Sequence, residues 1–444
     1  MMDTPVTARH AAGVPNQSGA PAVIAGKVPV APQAGQSGPH GENMKDIPGG
    51  ITAARGFRAA GLHCGVKKSR KDLSLVVSDS PASGAVVLTT NKVQAAPVLV
   101  CREQTERSRV FRAIVVNSGN ANACTGERGM SDAWAMVDTT ASALGIAREE
   151  VLVSSTGVIG QFLPIAAITG GIQKAPASLS REGGRAAAEA IMTTDTFVKE
   201  YALEFDLGGT RVRMGGMAKG SGMIAPNMAT MLAFVSTDAA VAPEVLRTAL
   251  SRASDRSFNR ISVDGDTSTN DMVAVLANGA SGAGPLTRAA GADYEAFYGA
   301  LERVLLALSK MIVRDGEGAT KFIEITVNGA ADEECAVRAA RAIANSNLVK
   351  TAIHGEDANW GRIIAAVGYS GVDFDPARVE ISFGPVPILR PNYAIDFSEE
   401  DAKKVLGQKD ITITVDLHQG NGSASFWTCD LTGEYVAINA NYRT

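Results

Sequence analysis

The sequence has few cysteines and histidines, and they are scattered along the chain. Its five cysteines form no CxxC pair of the kind that holds zinc or supports redox chemistry. Its five histidines lack the HxxxH or HExxH spacing of a metal site. We therefore expect free thiols in a reducing compartment and no bound metal. Cys124 is an alternative nucleophile, but no histidine-rich segment stands out as its partner.

Long apolar runs and an excess of charge are also missing. No apolar run approaches the roughly 20 residues of a membrane helix. Charged residues make up 20% of the chain and the net charge is -4, which provides no basic footprint for nucleic acid or anionic lipid. The glycine-rich stretches match neither GxxxxGKS/T nor GxGxxG, so nucleotide binding is not indicated. These absences favour a soluble protein that binds neither nucleic acid nor membranes.

The chain has enough apolar residues for a large folded body. It has 444 residues, of which 45% are hydrophobic, so it can bury a sizeable core. Residues 1–45 are an exception, since they are rich in Pro, Ala, Gly and Ser and are predicted to be a flexible tail. They lack the pattern of a secretory signal, and their few basic residues give only weak support for a mitochondrial presegment.

The body alternates short apolar runs with amphipathic segments, which predicts an α/β or α+β fold with antiparallel pairs. An N-cap at Ser131 is predicted to begin a helix that reaches residue 144. Further helices are expected at 181–192, 243–253, 294–313 and 333–344. Strands are expected at 85–89, 96–101, 113–116, 151–154, 231–235, 322–327, 379–383, 411–417 and 423–428.

The most informative stretch is residues 219–232, because it places Thr230 where the chain could cut itself. Gly220 and Gly222 allow a sharp turn and Pro226 restricts the backbone, which can hold the Ala229 to Thr230 peptide in a strained geometry. A threonine at a new N-terminus can use its own amine, with a pKa of about 7.7 to 8.0, as the base for its hydroxyl. The alternative is a glycine-rich turn that leads into the strand at 231–235.

The same stretch resembles the self-cleavage motif of the ornithine acetyltransferase family, also called the glutamate N-acetyltransferase family of arginine biosynthesis. Further blocks of the sequence agree with this family, and together they extend the resemblance from about residue 56 to residue 444. These blocks are residues 117–126, 154–160, 193–196, 264–271, 314–321 and 438–444.

The resemblance implies a helix-sheet-sheet-helix sandwich that is similar to the N-terminal nucleophile hydrolases but differently connected. It also implies self-cleavage between Ala229 and Thr230, which gives an α chain, 46–229 after the tail, and a β chain, 230–444. Two chains of each kind are expected to form a heterotetramer. Thr230 is then the nucleophile, while Thr156 and Gly157 form the oxyanion hole. From its residues alone, the pair at 156–157 would be interpreted as a strand-ending turn.

The resemblance also assigns the amino-acid site and the reaction. Residues that line the site are Thr193, Lys219, Thr230, Glu317, Asn439 and Thr444. Lys219 is expected to meet a carboxylate and Glu317 an ammonium group, although an isolated Lys or Glu is usually only a solvated charge. The acetyl group of N-acetylornithine would pass to Thr230 and then to glutamate in a cytoplasmic, ping-pong reaction without a cofactor. Some family members also take acetyl-CoA as donor.

Four alternatives remain open from the residues. Residues 315–318 could be an acidic metal loop, although the ligand spacing of an EF-hand is missing. Residues 264–266 could coordinate a cation or form a polar loop near the active site. An amidase or aminopeptidase would use the same nucleophile and pass the acyl group to water, and a processed scaffold would have no catalysis.

Overall fold

In the computed structural model, residues 44–225 and 231–441 are described, and all of them belong to the compact unit Gln36–Thr444. Residues 1–43, 226–230 and 442–444 lie outside the described part. The predicted cleavage residues Ala229 and Thr230 and the predicted site residue Thr444 are therefore not described. The first strand begins at Met44, so the predicted end of the tail at residue 45 falls inside a strand.

The described residues form strands and helices in a mixed order. The strands are Met44–Asp46 (β1), Phe57–Leu62 (β2), Leu73–Leu88 (β3), Val110–Asn120 (β4), Val151–Val158 (β5), Lys199–Leu207 (β6), Thr210–Lys219 (β7), Leu232–Thr237 (β8), Met272–Ala277 (β9), Phe322–Ala330 (β10), Glu380–Phe383 (β11), Val386–Leu389 (β12), Asp410–Asp416 (β13) and Gly422–Cys429 (β14). The helices are Ala96–Arg107 (α1), Gly126–Leu144 (α2), Ile165–Lys174 (α3), Gly184–Ile191 (α4), Pro243–Arg256 (α5), Ala292–Arg314 (α6), Glu333–Ala344 (α7), Asn347–His354 (α8), Trp360–Gly368 (α9), Glu399–Leu406 (α10) and Gly433–Asn441 (α11).

The larger sheet is continuous in hydrogen bonding but has two halves. Its order is β1-β6-β7-β8-β9-β3-β4-β5, with β2 also paired to β3. The pairs β4 with β5 and β8 with β9 are parallel. Strand β3 joins the halves, since its first part pairs with β2 and its last part with β9, and its register to β4 shifts between Val77 and Ala82. Pro81 lies in this interval, where it cannot donate to a ladder.

The two halves pack against each other and are covered by helices. Leu75 and Ile114 of one half share a buried cluster with Phe234 and Leu276 of the other. On the opposite face of β8, Val235 belongs to a second cluster that includes residues of α5 and α6. Because β8 is buried on both faces, all six of its residues are buried. This arrangement confirms the mixed α/β sandwich.

The smaller sheet has the order β12-β11-β13-β10-β14 and packs against α7 to α10 through a separate apolar cluster. Its inner strand β10 runs parallel to β13 and antiparallel to β14. The connection from α6 to β10, residues 315–321, passes from one sheet to the other. That connection carries Glu317 toward the larger sheet.

Two sequence-based predictions are wrong. Residues 96–101, predicted as a strand, are the start of α1. A short run of Val, Leu and Ala fits a buried strand or a buried helix equally well, and Pro97 in the first turn is compatible with a helix. Helix α2 begins at Gly126, five residues before the predicted cap at Ser131. The other predicted helices and strands lie on elements of the same type, with shifted ends. Within the described part of the chain, no helix combines the length and apolar content needed to cross a membrane.

Candidate active site

A cavity of about 180 Å³ lies where the halves of the larger sheet meet the 315–321 connection and α11. Strand β7 ends at the cavity, β8 begins there, and residues just before β9 complete that side. Residues of β5 contribute the facing side. The residues that line it include Thr156, Gly157, Thr193, Lys219, Met231, Asp264, Asp271, Glu317, Tyr435 and Asn439.

All the predicted site residues that the structure describes line this one cavity. They come from five separate parts of the chain: Thr156, Gly157, Thr193, Lys219, Glu317 and Asn439. Thr230 is not described, but one peptide bond joins it to Met231, which also lines the cavity. The predicted set therefore converges, apart from the residues outside the described part.

Thr156 and Gly157 lie inside β5 and not in a turn that ends it. Gly157 pairs with Gly119 of β4, next to a register shift at Asn120. Its φ is +133°, and a Cβ at this position would lie 2.4 Å from the carbonyl carbon of Gly119. Only glycine fits both the backbone conformation and the close approach of the two strands. The strand-ending turn considered from the sequence is therefore wrong.

Lys219 is a buried cation beside Thr156. Its Nζ donates to Thr156 Oγ1 over 3.4 Å, and only 8% of the residue is exposed. Burial lowers the pKa of Lys219, and the negative charge of Asp195 opposes this effect. Asp271 and Glu317 oppose it as well, while Lys199 adds to it. A carboxylate that entered the cavity would offset the cost of burying this ammonium group.

Glu317 is held from two sides. Asn439 Nδ2 of α11 donates to Glu317 Oε2 over 2.8 Å, and the Glu317 N–H donates to the Ser221 carbonyl over 3.0 Å. A Cβ at Gly222 would lie 2.4 Å from the Glu317 carboxyl group, so this glycine permits the close approach. Glu317 can accept further hydrogen bonds, as an ammonium group would require.

Asp264 fixes the chain just before residues 226–230. Its two carboxylate oxygens accept hydrogen bonds from the N–H groups of Met223 at 2.6 Å and Ile224 at 2.8 Å. Tyr435 of α11 donates its hydroxyl to the same carboxylate over 3.3 Å. Both Asp264 and Asp266 line the cavity, as expected of a polar loop near the active site. Across residues 44–225 and 231–441, no group of three His, Cys, Asp or Glu side chains is arranged to hold a metal ion.

A buried ion cluster behind the cavity was missed by sequence reasoning. Lys199 Nζ donates to Asp195 Oδ1 and to Asp315 Oδ2, each over 2.6 Å. The two carboxylates lie in sequence blocks already singled out, 193–196 and 314–321, which was the only available signal. No sequence signal singled out Lys199, because a sequence does not distinguish a buried lysine from a solvated one. Cys124, the alternative nucleophile, is exposed and does not line the cavity.

Known proteins resemble this chain over most of its length. The model of the ArgJ family matches residues 58–444. The arginine biosynthesis bifunctional protein ArgJ of Symbiobacterium thermophilum is 54% identical over 404 residues, which cover 90% of this chain and all of that protein. The protein of the same name from Chlorobium chlorochromatii is also 54% identical, over 88% of this chain and 91% of its own.

Among solved structures, a chain of ornithine acetyltransferase from Mycobacterium tuberculosis, crystallised with ornithine, is 38% identical. The match covers 42% of this chain and 99% of that one, with a TM-score of 0.38. The family model alone spans most of the sequence, from β2 to the last residue. The relatives match over nearly their whole length, and the conclusion follows from both: the chain belongs to the ArgJ family.

Proposed function

We propose that this protein is an acetyltransferase that moves the acetyl group of N-acetylornithine to glutamate, giving ornithine and N-acetylglutamate. The observation that supports this most directly is the convergence of Thr156, Gly157, Lys219 and Glu317 in one cavity beside Met231. The cavity offers a buried cation and a carboxylate, which suits a zwitterionic amino acid. The relatives named for arginine biosynthesis agree with such substrates.

In the first half-reaction, the Thr230 hydroxyl oxygen attacks the acetyl carbonyl carbon. The α-amine of Thr230 takes the hydroxyl proton and passes it to the departing amine of ornithine as the carbon–nitrogen bond breaks. An acetyl ester of Thr230 remains. In the second half-reaction, the amine of glutamate attacks this ester, its proton returns to Thr230, and N-acetylglutamate leaves. Neither half-reaction uses a metal or a cofactor.

Thr156 and Gly157 supply donors for the oxyanion that forms in both half-reactions. The hydrogen bond from Lys219 occupies a lone pair of Thr156 Oγ1. The hydroxyl proton of Thr156 cannot point at an ammonium group that is itself a donor, so it is available to the oxyanion. Stabilisation of this kind acts mainly in the transition state. Lys219 therefore orients a catalytic donor and also offers its charge to a substrate carboxylate.

Self-cleavage between Ala229 and Thr230 is part of the proposal. The chain on both sides of residues 226–230 is held at the cavity: Asp264 binds Met223 and Ile224, and Leu232 pairs with Lys219. An attack by the Thr230 hydroxyl on the Ala229 carbonyl carbon requires a defined geometry, and the anchoring of the flanking residues supports this part of the proposal. The resulting chains, 1–229 and 230–444, would remain together as a heterotetramer of two α and two β chains.

The "bifunctional" name of the relatives supports a second acetyl donor, and we propose acetyl-CoA in that role. A reaction within arginine biosynthesis and free cysteines at positions such as Cys64 and Cys101 favour the cytoplasm as its location.

The test follows the acetyl group. The mass of the purified protein is first measured by intact mass spectrometry. We expect the masses of two fragments produced by cleavage between Ala229 and Thr230. It is then given N-acetylornithine labelled in the acetyl group, with and without glutamate, and N-acetylglutamate and free acetate are measured. We expect an acetyl ester on Thr230 that awaits glutamate, since the site recognises an amino acid better than water.

The control is Thr230→Ala, which should remain one chain and transfer no acetyl group. If acetate is released at the same rate with and without glutamate and no N-acetylglutamate forms, the transferase proposal is wrong. The amidase alternative would then explain the activity. A wild-type preparation with no fragment beginning at Thr230 would remove the basis for the nucleophile.

A further inference from the structure

The buried ion cluster behind the cavity consists of Asp195, Lys199 and Asp315. The Asp195 and Lys199 side chains are fully buried, and that of Asp315 is 2% exposed. Nothing in the proposed reaction uses these groups directly. Burying three ionised side chains is costly unless each is well paired, and breaking such a pair leaves an uncompensated charge. The cluster therefore calls for a functional explanation.

Asp195 binds two segments that line the cavity. Its Oδ2 accepts a hydrogen bond from the Thr193 N–H over 2.9 Å, and its Oδ1 accepts one from the Gly220 N–H over 2.8 Å. Gly220 follows Lys219 directly, so this bond fixes the backbone at the end of β7. One carboxylate thus sets the spacing of Thr193 and Lys219, which belong to separate segments.

Asp315 extends the same cluster to the other side of the cavity. Its carboxylate accepts hydrogen bonds from the Thr196 N–H, over 2.9 Å, and from the Thr196 hydroxyl. Its carbonyl accepts the Ser221 hydroxyl. Asp315 is two residues before Glu317, so the cluster connects the cation of the cavity with its carboxylate. Lys199 joins the two aspartates.

The charges around Lys219 identify Asp195 as its main support. Burial is the largest influence on Lys219 and lowers its pKa, and the strongest opposing influence is Asp195. Asp271 and Glu317 act in the same direction as Asp195, and Lys199 acts against it. Lys67, another cation close enough to interact with Lys219, has its own pKa lowered by burial to about 8.

Asp195 itself remains ionised. Its burial raises the pKa, but Lys199, Lys219 and the Gly220 N–H outweigh burial and hold the pKa well below its usual range. Lys199 remains charged because its two aspartates outweigh the effect of burial. Asp195 therefore presents a negative charge to Lys219, whereas burial raises the pKa of Asp315, the second aspartate of the cluster.

We propose that Asp195 is a positioning residue of the amino-acid site: its carboxylate holds Thr193 and Lys219 in register and balances the charge of Lys219, so that a substrate carboxylate meets a fixed, protonated ammonium group. The proposal rests on the proposed function, since it concerns the same cavity. It differs from a purely structural role because it links one buried carboxylate to the pH dependence of amino-acid binding.

The test compares Asp195→Asn with Asp238→Asn. Asp238 is a matched control, since its buried carboxylate also accepts two backbone N–H groups, those of Arg55 at 3.3 Å and Arg213 at 2.7 Å. It follows the far end of β8, about 20 Å along the strand from the cavity. Ornithine binding is measured by calorimetry from pH 6 to pH 10 on wild type and both variants, after intact mass has established the cleavage state of each.

Binding to a protonated Lys219 is lost as the pH rises through the pKa of Lys219. Removing the charge of Asp195 lowers this pKa further, so D195N should lose affinity at a pH about one unit below wild type. Its affinity at pH 7 should fall roughly tenfold, because the Asn side chain keeps a single acceptor oxygen and therefore also loses one of the two backbone N–H bonds. The titration of ornithine itself is common to all three proteins. D238N should retain the wild-type curve even if it is less stable.

Each outcome decides between the alternatives. A D195N curve that coincides with those of D238N and wild type overturns the role of Asp195 and leaves the proposed function intact. Absence of ornithine binding in the wild type overturns the proposed function, and this inference with it. If D195N does not fold, Asp195→Glu replaces it. That variant keeps the charge but displaces the oxygens, so it should bind more weakly with the wild-type pH profile, and unchanged affinity would overturn the proposal.

Discussion

The cavity has two walls that are built in different ways. The strand wall consists of Thr156 and Gly157, which lie within β5, and Lys219, which ends β7, and all three are set by backbone register. The helix wall consists of Glu317, Tyr435 and Asn439, which lie on a connection and on α11. No residue of α11 within the described range is buried, whereas Thr156, Lys219 and Glu317 of the connection are each 8% exposed.

This difference predicts that the strand wall stabilises the transition state and that the helix wall recognises the substrate. Groups that stabilise a transition state must be placed within fractions of an ångström, and a hydrogen-bonded sheet provides such placement. Groups that recognise the variable end of a substrate tolerate more motion, and side-chain hydrogen bonds from an exposed helix are sufficient for them. Substitutions in the strand wall should therefore affect chemistry strongly, and those in the helix wall should affect recognition mildly.

The largest effect is expected at Thr156. Thr156→Ala removes a donor to the oxyanion and should lower kcat roughly 100-fold while changing substrate affinity much less. Thr156→Ser, which keeps the hydroxyl, is the matched control and should retain most of the turnover. Steady-state kinetics with N-acetylornithine and glutamate would measure both. Near-normal turnover in the alanine variant would assign Thr156 to structure and remove the chemical role of the strand wall.

A smaller effect is expected at Lys219. Lys219→Met keeps the volume but removes the charge, and should weaken binding of both ornithine and glutamate by about 1.5 to 3 kcal/mol, since both present a carboxylate. Lys350→Met is the control, because Lys350 is also a buried lysine but donates to Thr428 Oγ1, which does not line the cavity. Calorimetry with each amino acid provides the measurement. A loss confined to one of the two would contradict a shared carboxylate contact.

The candidate site residues were predictable only through the resemblance of their sequence blocks to the ornithine acetyltransferase family, since from the residues alone Thr156 and Gly157 would be interpreted as a turn and Lys219 and Glu317 as solvated charges. Gly157 and Gly222 permit close approaches, and these glycines mark the segments that contain Thr156 and Lys219. The buried cluster was not predictable, since a sequence does not distinguish the buried Lys199 from a solvated lysine.

The fold shows the same limit of local signals. The helices at 243–253 and 294–313 were predictable from their period, and α5 and α6 contain them. Helix α1 was not, because its short apolar start has no period that separates a strand from a helix, and only its packing decides. What escaped prediction in both fold and site is therefore set by contacts between distant segments.

The smallest effect is expected at Asn439 of the helix wall. Asn439→Ala removes the hydrogen bond of 2.8 Å to Glu317 and leaves this carboxylate free to change its rotamer. A neutral donor on an exposed helix contributes about 0.5 to 1.5 kcal/mol, so kcat/KM should fall roughly 2- to 12-fold, mostly through KM. Asn441→Ala is the control, because Asn441 also donates from α11, but to the Ala437 carbonyl over 2.8 Å. A fall of 100-fold in kcat for Asn439→Ala would show that the helix wall takes part in the chemistry, and the division between the walls would be wrong.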